Sequence, residues 1–241
     1  MPPLTASDWV PPALARAVKR MRAARSAGPV ASTPAAAPTS ARAPGVGSAA
    51  SEFGADFYDE SFEREDRWRR PYWELQWYGS WTAIAERITA ASSDPAVLDM
   101  GCGAGHFAAL LHDRGVRRFT GFDFSEKRLD YAKALVPDYE FVMADAYTTD
   151  LFAEATYDSV VCTEFLEHLD RDVEVLQRIR SGARVLGTVP NYDAEAHVRV
   201  FPTKDAVVER YGVVLRDIRV DQVHNTTGTA EWLMDGIVSR S

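Results

Sequence analysis

A glycine-rich turn between an apolar segment and a helix-forming segment constrains the fold of this chain most strongly. Residues 97–107 read VLDMGCGAGHF, so glycines recur at positions 101, 103 and 105 directly after a short apolar run. Glycine permits a sharp turn and lets a ligand approach the backbone closely, and the following helix N-terminus offers unpaired N–H groups. In open α/β sheets, ligands bind at the carboxyl ends of the strands. The segment therefore predicts a strand, a ligand-binding turn and a helix.

Strand-like and helix-like segments alternate from residue 95 onward. The predicted strands are 96–100, 118–123, 140–144, 157–163 and 183–189, and the predicted helices are 105–114, 125–135, 171–180 and 203–211. Two late β-like segments, 213–223 and 229–238, follow without a clear helix between them. Repeated β-α units produce a parallel sheet with helices on both faces. We therefore predict an α/β fold with a mostly parallel seven-stranded sheet and an antiparallel pair at one edge.

Composition divides the chain into two parts. Residues 1–51 are rich in Ala, Pro and Arg and offer little to bury, so we predict a disordered tail. Residues 52–241 are predicted to form one domain, in which an aromatic helical segment, 52–92, precedes the α/β core, 93–241. Helical spacing within that segment predicts one amphipathic helix packed on the sheet, and the alternative is that some of the four tryptophans between residues 68 and 81 line a ligand pocket. The residues with this spacing are Trp73, Trp77, Trp81, Ile84 and Ile88.

Charge and cysteine content narrow the classes of partner. The formal net charge is −8, and since the first 51 residues hold six basic residues and one acidic residue, the remainder is near −13. An acidic body repels phosphate backbones, which disfavours a nucleic-acid partner. We expect no membrane association, because no apolar run is long enough to span a bilayer and no hydrophobic signal segment is present. The two lone cysteines, Cys102 and Cys162, indicate a reducing compartment, so we predict a cytoplasmic protein.

The glycine spacing and three nearby carboxylates indicate a nucleoside ligand without a pyrophosphate. A dinucleotide-binding turn would place a glycine where this chain has His106, and no phosphate-binding lysine follows. Asp99 precedes the glycines and is placed to hold a cationic amine. Asp123 ends the next strand, where a carboxylate binds ribose hydroxyls, and Asp145 follows the third strand, where it would accept a bond from an exocyclic amine. A dehydrogenase is the competing interpretation.

These motifs, together with YDSVVCTE at 157–164, resemble the class I S-adenosylmethionine-dependent methyltransferases over residues 96–189. The resemblance implies a Rossmann-like sheet and S-adenosylmethionine as the cofactor. It implies that Gly101 and Gly103 pass under the methionine part of the cofactor. The other implied contacts are Asp123 with the ribose, Asp145 and Ala146 with the adenine, Phe124 with the adenine face, and Glu164 with the methionine end.

Acidic and histidine side chains cluster after the fourth predicted strand, in the sequence EFLEH at 164–168. We select His168 as the candidate catalytic residue, a general base, because imidazole exchanges a proton near neutral pH. On a helical turn Glu164, Glu167 and His168 would share one face. Two other interpretations stay open: His168 caps the next helix, or the cluster binds a divalent ion with His197. The latter pattern resembles the metal-dependent small-RNA 2′-O-methyltransferases, and some quinone O-methyltransferases share the segment, but we assign no metal site.

The loop after the fifth predicted strand supplies candidate acceptor contacts. Residues 189–201 face the acceptor in folds of this kind. Asn191 and His197 are therefore candidate substrate-binding residues, and Tyr192 and Arg199 are further candidates.

Two tyrosines of the aromatic segment, Tyr58 and Tyr72, are placed to cover the cofactor, and Tyr58 is a candidate substrate contact. The leading predicted function is methyl transfer to a small-molecule acceptor, such as a metabolite, sugar or natural product. The alternatives are a metal-dependent RNA 2′-O-methyltransferase and a non-catalytic subunit that binds S-adenosylmethionine.

Overall fold

The computed structural model describes residues 51–239, all of which belong to one compact unit. The tail predicted for residues 1–51 lies outside the described residues, except for Ser51.

One mixed sheet of seven strands organises the described part of the chain, in the order β3-β2-β1-β4-β5-β7-β6. The strands are β1 Ala96–Met100, β2 Arg118–Asp123, β3 Glu140–Met143, β4 Ser159–Thr163, β5 Arg184–Pro190, β6 Leu215–His224 and β7 Ala230–Val238. Strands β1 to β5 pair in parallel, whereas β7 pairs antiparallel with both β5 and β6. The predicted mostly parallel sheet with an antiparallel edge pair is confirmed.

Helices connect these strands and precede the first of them. The α-helices are α1 Ala55–Arg64, α2 Tyr78–Ala91, α3 His106–Asp113, α4 Glu126–Leu135, α5 Leu151–Glu154, α6 Asp172–Arg178 and α7 Lys204–Tyr211. Short 3₁₀ helices span Asp66–Arg69, Tyr72–Glu74 and Leu166–His168. The hydroxyl oxygens of Ser125 and Thr203 cap α4 and α7, because each accepts a hydrogen bond from the backbone N–H three residues later.

The inner strand β1, between β2 and β4, is buried along its whole length, which explains its apolar sequence. Parallel strands covered on both faces are apolar throughout, so the carboxylate of Asp99 within β1 is an exception. The glycine turn follows β1 at the carboxyl edge of the sheet. The core therefore presents Asp99 and the turn at the edge where ligands of such sheets bind.

The aromatic segment differs from the single predicted helix. Pro71 precedes a 3₁₀ turn, and Leu75 has the extended backbone angles φ −85 and ψ 148, which interrupt helical periodicity. The α-helix begins only at Tyr78, with Trp77 as its N-cap. The prediction of helical structure from Trp73 was therefore wrong, although the stripe from Trp81 to Ile88 is buried as expected.

A short helix and the lengths of the helices complete the description of the fold. The short helix α5 lies between β3 and β4, where no helix was predicted. No helix within residues 51–239 is long and apolar enough to cross a membrane.

Candidate active site

The glycine turn is tied to the neighbouring strand by backbone hydrogen bonds. The N–H groups of Gly101 and Cys102 both donate to the carbonyl oxygen of Phe122, at 2.9 and 3.0 Å. Gly101 has a φ of 72°, and a side chain there would collide with the ring of Phe165. Gly103 has a φ of 53° and open space where a Cβ would be. The turn therefore requires glycine for conformation at both positions, and Gly103 leaves room for a ligand.

Asp123, at the end of β2, is fixed by the backbone on both sides of its carboxylate. Its Oδ2 accepts a hydrogen bond from the N–H of Gly103 and its Oδ1 from the N–H of Ser125, each at 2.9 Å. Burial raises the pKa of Asp123, while Arg128 and these backbone N–H groups act in the opposite direction. Each oxygen keeps a further lone pair, so the carboxylate can accept bonds from two ribose hydroxyls.

Two cavities meet along the carboxyl edge of the sheet. The larger, of about 360 Å³, is lined by Gly101, Asp123 and Phe124 and also by Glu164, His168 and His197. The smaller, of about 90 Å³, is lined by Asp99, Gly101 and Gly103. Gly101 and Glu164 line both cavities, so the two cavities are neighbours, with most of the predicted cofactor residues and the His cluster around them.

Asp99 is the most deeply buried of the three predicted strand-end acids. It is 2% exposed, and its Oδ2 atom has no hydrogen-bond partner among the described residues. Burial and, to a lesser extent, the nearby Asp123 raise the pKa of Asp99 to about 8. An amine in the smaller cavity would satisfy this oxygen.

Three predicted contact residues lie away from these two cavities. Asp145 and Ala146 follow β3, but neither lines either cavity. The Oδ1 of Asp145 accepts a hydrogen bond from the N–H of Tyr147 at 2.8 Å, and Ala146 is buried. Asn191 also lies outside both linings, and its backbone N–H donates to Ala230.

Tyr58 of α1, a predicted substrate contact, lines the larger cavity. Its ring lies edge-on to Phe124 and His168, with centroids 5.4 and 6.0 Å away. Tyr72 has a different role, since its hydroxyl donates to Asp113 of α3 at 2.9 Å and neither cavity includes it. Only the first of the two predicted covering tyrosines therefore faces ligand space.

Glu164 follows β4 with a left-handed φ of 50° and precedes the 3₁₀ turn, so the expected single helical face for Glu164, Glu167 and His168 is not formed. Its carboxylate accepts hydrogen bonds from the hydroxyls of Thr188 at 3.2 Å and Tyr192 at 2.8 Å. Burial, followed by the nearby Glu231, raises the pKa of Glu164 to about 8.

Glu167, His168 and His197 form a compact cluster, with one ligand atom from each within 4.8 Å of the others. The Nδ1 of His168 lies 2.8 Å from the carbonyl oxygen of Ala196, and the Nδ1 of His197 lies 3.2 Å from that of Tyr192. A carbonyl oxygen only accepts, so each Nδ1 carries the proton and each Nε2 keeps its lone pair. Burial lowers the pKa of His168 to about 4.

The same cluster contains an unsatisfied carboxylate. Both oxygens of Glu167 are buried without a hydrogen-bond partner among the described residues, and Oε1 lies 3.8 Å from the Nε2 of His168. Burial raises the pKa of Glu167 well above its ordinary value. Two imidazoles and one carboxylate are a donor set that binds divalent transition metals.

Arg199, a predicted acceptor contact, instead anchors the loop that carries His197. Its guanidinium donates to the carbonyl oxygens of Leu166 and Leu169 and pairs with the buried Asp172 at 3.0 Å. The loop after β5 and the turn after β4 are thereby held together. Arg199 therefore holds His168 and His197 close to each other.

Two site residues were absent from the prediction. Arg128 lines both cavities, together with Trp68 and Trp77 of the aromatic segment, and Glu231 is fully buried and close enough to Glu164 to raise its pKa. Arg128 stands one turn into the helix that begins beside Asp123, and this spacing was a usable signal. Glu231 had no such signal, because its place depends on the insertion of β7 beside β5.

Comparison with known proteins matches the segment that builds this site. Residues 97–187 match the family described as a methyltransferase domain. A ubiquinone biosynthesis O-methyltransferase of Nitrosomonas europaea is 29% identical over 123 residues, which cover 47% of this chain and 51% of that protein. A trans-aconitate 2-methyltransferase of Azoarcus sp. is 28% identical over 141 residues, which cover 53% and 54%. The chain thus spans about half the length of the curated relatives it matches.

Solved structures agree on the fold. The N-methyltransferase NodS of Bradyrhizobium japonicum, in complex with S-adenosylhomocysteine, superposes with a TM-score of 0.60 at 15% identity, covering 77% of this chain and 98% of that chain. The magnesium protoporphyrin IX methyltransferase of Synechocystis gives a TM-score of 0.60 at 17% identity, with the same coverage. At such identities the likeness concerns the fold alone.

Residues 97–187, which include the glycine turn, are therefore similar to a methyltransferase domain. The fold is similar to that of solved methyltransferases, two of which are named above.

Proposed function

We propose that this chain transfers a methyl group from S-adenosylmethionine to a small-molecule acceptor. The observation that carries the proposal is a single cavity of about 360 Å³ lined both by the ribose candidate Asp123 and by the candidate base His168. That volume lies within the range of small-molecule sites. The acidic strand-end residues suit a cationic sulfonium nucleoside, and the matched relatives are methyltransferases of small molecules by name.

In this proposal Gly101, Gly103 and Asp99 hold the methionine part of the donor, and Asp123 and Phe124 hold its nucleoside. Asp145 and Ala146 remain proposed adenine contacts and Asn191 a proposed acceptor contact, although neither cavity lining includes them. Tyr58, Glu164 and His197 surround the space left for the acceptor.

The transfer itself is a displacement at the sulfonium methyl carbon. The acceptor's electron pair forms the new bond while the carbon–sulfur bond breaks, and that bonding pair returns to sulfur to give S-adenosylhomocysteine. The acceptor's proton passes to the Nε2 of His168, whose lone pair is free because Nδ1 donates to Ala196. The protein contributes alignment of the two reactants and a site for the proton.

A divalent cation bound by Glu167, His168 and His197 is the second candidate role for this cluster. The buried, unpartnered oxygens of Glu167 and the two free Nε2 atoms fit such an ion. Carbonyl contacts to the opposite ring nitrogens are the usual support of metal-binding histidines. A bound ion would polarise an acceptor hydroxyl and favour its deprotonation.

Binding and turnover experiments test the proposal. Calorimetry with S-adenosylhomocysteine tests the donor site, and transfer of a labelled methyl group to candidate acceptors separates an enzyme from a silent binding subunit. Absence of any heat with the donor or its product would contradict the proposal. An RNA gel shift at low salt tests the RNA alternative.

Chelation separates the two roles of the His cluster. Turnover that is unchanged in excess EDTA supports His168 as a base, whereas loss of turnover restored by Mg²⁺, Mn²⁺ or Zn²⁺ supports the cation. Electron paramagnetic resonance of Mn²⁺ with the wild-type protein and with Glu167→Gln gives a readout independent of activity.

A cytoplasmic location stays a prediction, drawn from two cysteines that are free and buried.

A further inference from the structure

Three buried hydrogen-bond donors without acceptors gather on one wall of the site. Within residues 51–239, the Nε1 atoms of Trp68 and Trp77 and the Nε of Arg128 are buried and have no partner at full hydrogen-bond geometry, although the Trp77 N–H lies close enough to the Glu164 carboxylate to lower its pKa. All three residues line both cavities. Buried donors are normally satisfied, so such a group of donors calls for an acceptor supplied by a ligand.

The three side chains are packed together. The indole rings of Trp68 and Trp77 stack with centroids 5.7 Å apart and an interplanar angle of 10°. The guanidinium carbon of Arg128 lies 4.8 Å from the centroid of Trp68 and 5.0 Å from that of Tyr58. The wall is therefore a defined arrangement of two indole N–H donors and one guanidinium.

The charge of Arg128 is not matched by an ion pair with any residue of the 51–239 segment. Arg67, which also stacks on Trp68, differs because its Nε pairs with Glu65 at 2.6 Å. The carboxylate of Asp123 is nearby but already accepts two backbone hydrogen bonds. Arg128 thus offers both a positive charge and an unused donor.

Two of the acids that line these cavities carry little negative charge at neutral pH, whereas the charge of Asp123 partly offsets that of Arg128. Burial raises the pKa values of Asp99 and Glu164 to about 8, so both are mainly protonated there before a cation binds. An anionic group placed against the wall meets donors without strong repulsion from these two side chains.

We propose that Trp68, Trp77 and Arg128 form a carboxylate-binding subsite where the two cavities meet. Two planar oxygens match a fork of N–H donors better than a spherical anion does. The carboxylate comes either from the amino-acid end of the methyl donor, in which case the inference rests on the proposed function, or from an acid group on the acceptor.

Calorimetry on the full-length protein tests whether the carboxylate comes from the amino-acid end of the methyl donor. Trp68→Phe and Trp77→Phe each remove one N–H while keeping a ring, and Arg128→Met removes the charge while keeping the stem. If the donor supplies the carboxylate, each variant weakens S-adenosylhomocysteine binding by about tenfold or more, the range of one charge-assisted hydrogen bond. Binding of 5′-methylthioadenosine, which lacks the amino-acid end, stays within about twofold.

A thermal-shift assay tests whether the carboxylate comes from the acceptor. Benzoate and its neutral amide, benzamide, are compared on the protein saturated with S-adenosylhomocysteine and on the free protein. If the acceptor supplies the carboxylate, benzoate raises the melting temperature of the wild type more than benzamide does. The three variants lose that difference and keep wild-type affinity for S-adenosylhomocysteine.

A matched control and the contrary outcomes complete the test. Trp73→Phe makes the same chemical deletion at an indole that lines neither cavity, so it should match the wild type. Variants that preserve both S-adenosylhomocysteine affinity and the benzoate response overturn the subsite. A wild type that binds no S-adenosylhomocysteine contradicts the proposed function instead, while the benzoate comparison on the free protein still decides the subsite.

Discussion

The imidazole rings of His168 and His197 meet at an interplanar angle of 62° with centroids 5.1 Å apart. Each ring directs Nδ1 to a backbone carbonyl within the loop after β5, so each Nε2 atom keeps a lone pair that can bind a proton or a metal ion. This pairing, rather than the sequence distance between the two residues, defines the chemical centre of the site.

Replacing His168 by Gln should lower turnover without weakening binding of the methyl donor. The amide can still donate to Ala196 but supplies no basic nitrogen, so kcat should fall by about a hundredfold or more. Calorimetry should show S-adenosylhomocysteine affinity within about threefold of the wild type. His112→Gln, on the side of α3 that pairs with Asp138, is the control. Full turnover by the His168 variant would remove this residue from the mechanism.

Replacing Asp123 by Asn should strongly weaken binding of the methyl donor and of its product, S-adenosylhomocysteine. The amide nitrogen cannot accept a ribose hydroxyl, and it faces a backbone N–H donor of Gly103 or Ser125. We expect S-adenosylhomocysteine affinity to fall by about a hundredfold, as for the loss of two hydrogen bonds to a charged group. Calorimetry measures the change, and urea unfolding checks that the variant is folded. An affinity equal to that of the wild type would contradict the ribose assignment.

The free protein should become less stable as pH rises, because of Asp99. Its pKa in the folded state is about 8, above the ordinary value of 3.8, so the folded state binds the proton more tightly than the unfolded state. The free energy of unfolding therefore falls as pH increases from about 4 to about 8. Asp99→Asn removes this contribution and should be the more stable protein at pH 8.5, by about 2 to 5 kcal/mol.

Urea unfolding of the Asp99 pair at pH 5.5 and 8.5, without donor, measures this effect. Parallel pH dependence in the two proteins would show that Asp99 is ionised throughout. Glu164 is present in both proteins, so its own titration cancels in the comparison.

Replacing Asp172 by Asn should destabilise the fold and loosen the loop that carries His197. The side chain of Asp172 is fully buried, accepts from Arg210 at 2.8 and 2.6 Å and from Tyr211, and pairs with Arg199. Removing the carboxylate leaves buried arginine charge uncompensated, at a cost of about 3–5 kcal/mol of unfolding free energy.

The control for Asp172 is the exposed pair of Arg87 and Asp221, at 2.6 Å. Asp221→Asn should change the unfolding free energy by less than about 1 kcal/mol, because exposed pairs contribute little. Urea titration compares both variants. Equal effects from the two substitutions would mean that Asp172 does not anchor the loop.

Local sequence determined what could be predicted. Strands β1 and β2 begin and end at the predicted residues, 96–100 and 118–123, because each is a short apolar run closed by glycine or aspartate. Asp123 and the glycine turn followed from the same local pattern. The pairing of His168 with His197 was anticipated only as one of three interpretations of the cluster.

Features that depend on tertiary packing could not be predicted in the same way. Helical spacing continued through Trp73, but Pro71 and the extended Leu75 delay the helix to Tyr78. The buried donors of Trp68, Trp77 and Arg128 come together only where α4 packs against the aromatic segment.

The antiparallel insertion of β7 beside β5 affects the electrostatics of the candidate active site. The strand enters the sheet beside β5, and its second residue, Glu231, is coupled electrostatically to Glu164. Cavity walls thus come from as early as Glu52, while this carboxylate comes from near the end of the described chain. A chain without β7 would keep the glycine turn but would lose the buried carboxylate that helps to raise the pKa of Glu164, so the protonation of Glu164 depends on the last described strand.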